Sequence, residues 1–259
     1  MTDVGTPAPV PHSEKTEHAE NPAAEISWAR TRARLAVRRT RERARSLAGR
    51  TQTPPTRRAP TVRVADCELR PLARSDQQSW SASMRANAAR MGPWWGIDDW
   101  AAATDHIAFA AHYTHWARQA RAGTGLALAM CTPDAGVIGE LQVWHIDPGA
   151  GTAELGVWAA PNTVSARVML PLLAGGVDYL FECCGLVRFD SPVAAGNLAP
   201  RKLLESANFV NEGTLSQWRR VRGEMTDFDM YGLTPERWAV GRSRLYRLNP
   251  WEPLLRPLA

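Results

Sequence analysis

No stretch of 18 apolar residues free of charge occurs among the 259 residues, so no transmembrane helix is expected. No short apolar run follows a basic start, and a secretory signal is not expected either. Arg38 and Arg39 are adjacent, but the sequence after them stays charged, which argues against a twin-arginine signal. Cysteine is scarce: Cys67, Cys131, Cys183 and Cys184 lie in apolar settings without metal-ligand spacing. No zinc site is expected, and reduced thiols in a cytoplasmic chain follow. Cys183 and Cys184 read as buried packing on a helix. There is no internal repeat, and no Ser, His and Asp order of a hydrolase triad.

What is present is 44% hydrophobic residues and 22% charged, enough to bury a core. The net charge of +5 is unevenly placed. Residues 1–60 hold 12 Lys and Arg against 6 Asp and Glu, a net of +6. Residues 61–259 hold 19 against 20, a net of −1. The isoelectric point near 9.4 therefore belongs to an arm. The remainder is near neutral, which argues against a nucleic-acid-binding domain there.

The chain divides into three parts: an arm, 1–60; a domain, 61–240; and a tail, 241–259, docked on the domain or on a partner. Residues 1–26 are Pro, Glu, Thr and Ala with almost no large apolar side chain, a composition that predicts disorder. Ser27 and Gly49 bound a candidate helix over 27–49 that carries eight of the nine arginines between Arg30 and Arg50. Pro54, Pro55 and Pro60 then mark a linker. Three readings of the arm stand: a solvated basic tail, a tether to ribosomal RNA or another polyanion, and a membrane-surface helix with a thin apolar face.

Within the domain, residues 61–72 alternate and predict a strand. Helical spacing follows over 76–91 and 100–122. Strands are predicted over 126–130, 137–146 and 152–161, a helix to about Glu182, a strand over 186–193, a helix over 199–207, and strand again over 208–221. Trp116, Trp144, Trp158 and Trp218 read as core. The order is strand, two helices, three antiparallel strands, helix, strand, helix, strand.

That order, with four runs of residues, resembles the GNAT acetyltransferase superfamily. More narrowly it resembles the Rim-type ribosomal-protein N-terminal acetyltransferases. The runs are ELRPLARSD, VIGELQVWHIDPGAGTAELGVWAAP, AAGNLAPRKLLESANF and NEGTLSQWRRVRGEMTDFDMYGLTPERW, in the family's order. The resemblance implies an α/β fold: a mixed central sheet with two splayed parallel strands, flanked by helices. It also implies acetyl-CoA as cosubstrate, with the pantetheine arm in the splay and the pyrophosphate at the start of the next helix.

The family places glycines in that pyrophosphate loop. Here the stretch reads Asn162-Thr163-Val164-Ser165-Ala166-Arg167, with Ser165 and Arg167 at glycine positions. A side chain where positive φ is needed costs about 1 kcal/mol. The amides of Val164, Ser165, Ala166, Arg167 and Val168 remain available to the pyrophosphate, and Arg167 can pair with a phosphate. Pro171 fits a helix whose first turn lies near here. Asn197 matches a coenzyme-contacting Asn, or is a helix cap. Asn208 stands where relatives have Gly, a mild change because Asn tolerates left-handed dihedrals.

Direct transfer needs a proton acceptor for the attacking amine, and a donor for the leaving thiolate. Glu140 and Glu154, on neighbouring strands, are the carboxylate candidates. Ile138 and Gln142 are expected to share the face of Glu140. His145 is another candidate base, and Ser191 a polar group near the thiol. Trp94 and Trp95 are candidate acceptor contacts, or a plug between helices. Asp98, Asp99 and Asp105 either attract a cationic acceptor or cap helices. The implied activity is acetyl transfer to a primary amine: a protein N-terminus, or a small amine of the aminoglycoside type. The alternative is a degenerate fold that only binds. Expected partners are acetyl-CoA, the acceptor, and RNA or the ribosome through the arm, with no metal. The state is monomer or homodimer.

Overall fold

The computed structural model describes residues 61–95, 97, 99–161 and 166–248. The arm with its candidate helix, Asp98, residues 162–165 and residues 249–259 lie outside the described residues. The chain divides into two units, Met1–Arg50 and Thr51–Ala259, and only the second contains described residues.

The elements of that unit run β1 (Val62–Val64), β2 (Cys67–Pro71), α1 (Gln77–Ala86), α2 (Ala88–Trp95), α3 (His106–Ala122), β3 (Leu126–Thr132), β4 (Gly136–Asp147) and β5 (Thr152–Ala159). They continue with α4 (Ala166–Glu182), β6 (Arg188–Ala194), α5 (Leu198–Ser206), β7 (Val210–Val221), β8 (Glu224–Leu233) and α6 (Pro235–Leu248). One sheet orders the strands β1-β2-β3-β4-β5-β6-β8-β7. Neighbours are antiparallel except β5 and β6, which are parallel. The expected fold class is the one observed.

Some boundaries differ from expectation, each for a local reason. The single strand over 61–72 is two strands, because Ala65 takes φ 50° and the chain reverses there. The helix over 76–91 breaks at Asn87, and the helix over 100–122 starts late. Asp105 is extended (φ −76°, ψ −179°) and its Oδ1 accepts the Ala108 N–H at 2.7 Å, fixing the start of α3. Gly123 ends α3 at φ 74°. Pro171 lies inside α4, beyond the first turn. Cys183 and Cys184 fall in the turn after α4. Cys183 is exposed rather than buried, and burial pushes the half-buried Cys184 thiol up to about 12. Asn208 takes φ 68°, and its amide donates to the Arg237 carbonyl at 2.8 Å.

The two faces of the sheet bury different things. Leu141 and Val143 of β4 join Leu69, Leu128, Phe189 and the α4 residues Leu172, Val177 and Leu180 in the larger core. On the other side Trp80, Met84, Phe109 and Trp158 form a smaller, aromatic core with Val137. Ile138 sits in the larger core with Leu141, not on the face of Glu140. A register shift between Met130 and Cys131 pairs Gly139 and Val137 but skips Ile138, and the extra residue flips the alternation. α6 extends the tail's first residues as a helix on the larger core through Trp238 and Leu245.

Candidate active site

β5 and β6 pair only at Thr152–Arg188, Ala153–Phe189 and Glu154–Asp190. Past these residues β5 stays with β4 as far as Ala159, and β6 stays with β8 as far as Ala194. The two parallel strands therefore part, and a cleft of about 700 Å³ opens between them. Leu155, Gly156 and Val157 line one side, and Ser191, Pro192 and Val193 the other. Beside it, β4 bulges: pairing with β5 stops at Trp144, and His145 takes φ 50°. The Trp144 ring packs on Gly156, where a Cβ would come within 2.7 Å of it.

Six residues selected from the sequence converge here. Glu154, His145, Ser191, Asn197, Trp94 and Trp95 all line the cleft. Asn197 precedes α5, but its side chain makes no capping hydrogen bond. Trp94 is half-buried and reaches toward Gly196 in the loop after β6; Trp95 is 44% exposed. Val168 packs against the larger core. Val164 and Ser165 lie outside the described residues, as do the side chains of Ala166 and Arg167, which begin α4. Asp99 accepts the Ala101 and Ala102 N–H groups at 3.0 Å, fixing a local turn, and Asp105 caps α3. Trp116 and Trp158 are buried, Trp144 is half-buried on the cleft, and Trp218 is not core. Trp218 lies on exposed β7 against Phe228, with Arg219 3.8 Å above its ring.

The two candidate carboxylates differ. Glu154 accepts both Arg219 terminal nitrogens, at 3.1 and 3.2 Å, and lies 3.3 Å from His145 Nδ1. Glu140 is 0% exposed and does not line the cleft. It accepts Trp80 Nε1–H at 2.9 Å, Trp158 Nε1–H at 3.1 Å and the Gln142 amide, and meets His112 Nε2 at 2.9 Å. Sequence reasoning missed His112 and Arg219, both of which line the cleft. Phe109, His112 and Trp116 recur at helical spacing, a signal that places His112 on the inner stripe of α3. Nothing local announces Arg219.

Residues 67–210 match the family described as acetyltransferase (GNAT) domain, more than half of the chain. The chain belongs to the GNAT acetyltransferase family. It is 29% identical over 103 residues to the uncharacterized N-acetyltransferase p20 of Bacillus licheniformis, matching 40% of this chain and 58% of that protein. The chain thus spans less than two thirds of that curated relative's length. Mycobacterium smegmatis RimJ, solved in complex with CoA-disulfide, is 25% identical, with TM-score 0.66 over 74% of this chain and 95% of RimJ. The ribosomal-protein-S5-alanine acetyltransferase of Vibrio fischeri shares the fold at 14% identity, with TM-score 0.62 over 70% of this chain and 99% of that one. Rim-type structures are thus among the fold's neighbours. Among the described residues no helix is long and apolar enough to cross a membrane, and no group of His, Cys, Asp and Glu could hold a metal.

Proposed function

We propose that the chain is an N-acetyltransferase that moves the acetyl group of acetyl-CoA onto a primary amine, a protein N-terminus of the ribosomal-protein type. The observation that carries this reading is the cleft between the parted β5 and β6. A pantetheine arm enters it as an added strand, pairing with backbone groups that the two strands no longer offer each other. Amides of residues 164–168 receive the pyrophosphate, Arg167 pairs with a phosphate, and Asn197 contacts the coenzyme.

The amine nitrogen bonds to the thioester carbonyl carbon, the C–S bond breaks, and the thiolate takes up a proton. Ser191, in the wall of the parted strand, is the nearest kind of donor for that thiolate. Glu154, turned into the cleft with Arg219, orients the incoming amine. Trp94 and Trp95 hold the apolar part of the acceptor. The charge balance favours a peptide over a polyamine or aminoglycoside. Glu154 is the one carboxylate among the described lining residues, and Arg219 neutralises it beside three histidines. A polycation finds no counter-charge there. The Arg-rich arm adds affinity for ribosomal RNA.

Ser165 and Arg167 at glycine positions favour one second reading, a GNAT fold that only binds. Calorimetry with the full chain and acetyl-CoA separates the two. Micromolar binding, lost in Arg167→Glu, together with thiol release in the presence of N-terminal peptides, is the expected result. No binding at millimolar acetyl-CoA overturns the enzyme and leaves the binding module.

A further inference from the structure

Glu140 is buried on β4, between the aromatic core and the cleft. A carboxylate at this depth is stable only if its lone pairs are filled. Four side chains fill them: Trp80, Trp158, Gln142 and His112. Three of the four have nothing further to offer chemically, because indole and amide N–H groups do not exchange protons readily near neutral pH. The fourth differs. His112 Nε2 lies 2.9 Å from Oε1 and 3.1 Å from Oε2 of Glu140. An ionised carboxylate only accepts, so Nε2 carries the hydrogen. In the neutral ring Nδ1 then holds a bare lone pair, and it has no hydrogen-bond partner among the described residues.

The ring is held in place. Trp80 lies against it at 4.9 Å between centroids and 37°, and Trp116 meets it edge-on at 6.3 Å and 74°. The His112 side chain is 22% exposed, and it lines the cleft together with Leu155–Trp158 and Ser191–Ala194. An imidazole whose tautomer is set by a buried carboxylate, on a ring that lines a cleft, is the arrangement of a proton acceptor.

We propose that His112 is the general base of acetyl transfer and that Glu140 is its positioning residue. The inference rests on the acetyltransferase reading of this cleft. As the amine nitrogen bonds to the thioester carbon, its proton passes to His112 Nδ1. The C–S bond breaks, Ser191 gives its hydroxyl proton to the thiolate, and the imidazolium returns its proton to Ser191 by way of the cleft. The products are the amide and the free coenzyme thiol, with His112 neutral again. Glu140 never touches the substrate; it holds the hydrogen on Nε2 and compensates the charge that the ring briefly carries.

The test uses the full chain and two readouts. The first needs no acceptor: ¹⁵N resonances of His112 report the Nε2–H tautomer in the wild type, and Glu140→Gln mixes the two tautomers. The second is thiol release from acetyl-CoA with peptides beginning with each of the twenty amino acids, and with spermidine. His112→Gln keeps an N–H for Glu140 but removes the base, so damage to the fold and damage to the chemistry separate. Its kcat falls about 10²- to 10⁴-fold while KM and the acetyl-CoA Kd stay within about threefold. Glu140→Gln lowers kcat about 10- to 100-fold with the same unchanged Kd. An Nδ1–H tautomer in the wild type, or His112→Gln with nearly wild-type kcat, overturns the dyad and leaves the acetyltransferase intact. A wild type that binds no acetyl-CoA, or that acetylates none of these acceptors, overturns the acetyltransferase reading and the dyad with it.

Discussion

Asp178 on α4 and Glu140 on β4 are both buried acids on opposite faces of one sheet, and each accepts an indole N–H. They differ in the cation or near-cation beside them. Asp178 meets Arg242 Nε at 2.8 Å, with Trp238 Nε1–H at 2.7 Å, and so ties α6 to α4. Burial still pushes the Asp178 carboxyl above its usual range against the pull of Arg242 and Trp238. Glu140 meets His112 and neutral donors. A guanidinium keeps its charge and has no basic nitrogen, so the first pair can only clamp. An imidazole has a second nitrogen, so the second pair can hold and also react. The partner decides whether a buried carboxylate is structure or chemistry.

Removing Asp178 is the strongest way to break this contrast. Asp178→Ala leaves the buried Arg242 guanidinium without this carboxylate and costs about 3–5 kcal/mol in urea unfolding, with acetyl-CoA affinity retained in the folded fraction. A cost near zero would mean that α6 is held by its apolar residues alone. Glu140→Ala comes next. It deprives two indoles, an amide and an imidazole of their acceptor at once, for about 3 kcal/mol, and unlike Asp178→Ala it also abolishes turnover. If both variants retained turnover, the two acids would be equivalent after all.

A steric pair sharpens the same comparison. A Cβ on Gly176 of α4 would sit 2.5 Å from Leu141 Cδ2 and 2.7 Å from Leu69 Cδ2, inside a closed core. A Cβ on Gly156 would meet the Trp144 ring at 2.7 Å, but that ring has the cleft to move into. Gly176→Ala is expected to cost about 2–3 kcal/mol and Gly156→Ala about 1 kcal/mol, the latter with a shift in tryptophan emission as Trp144 moves. Equal costs would show the cleft face to be as tightly filled as the core face.

The smallest effect lies at the surface. Arg188 and Arg237 beside Glu212 hold its carboxyl down to about 2, from an ordinary 4.5. The ionised form is the one favoured by folding, so its contribution is full above pH 4.5 and lost as pH falls toward 2. Glu212→Gln is expected to cost under about 1 kcal/mol at pH 7, because the group is partly solvated. Urea midpoints of the two proteins should converge near pH 2. A gap that persists there would assign Glu212 a packing role on Gly232 instead, where its carboxyl lies 2.6 Å from the position of a Cβ.

Much of this was legible in the chain. The alternation over 137–159 sets out the central hairpin, and the end of α3 falls at 122 as expected, while its N-cap Asp105 lies five residues past the expected start. Gln142 shares the face of Glu140, as a two-residue period demands. Ile138 does not, because one bulged residue shifts the alternation, and no side chain announces a bulge. Trp218, large and apolar, reads as core; it is half-buried on β7, edge-on to Phe228 and under Arg219. Of the cleft, Glu154, His145, Ser191, Asn197, Trp94 and Trp95 are legible in the sequence, while His112 and Arg219 are not.

The sequence by itself determined the family, the run of the main strands and helices, and the faces of the central hairpin outside its bulge. Those properties follow from the period of apolar residues and from cap and turn chemistry, which act within a few residues. Only the tertiary structure decided what surrounds Glu140. Its partners lie 60, 28 and 18 residues away, at Trp80, His112 and Trp158. They meet where α1, α3 and β5 cross β4, and neither the hydrogen-bond geometry nor the burial that gives it force exists until those elements have packed.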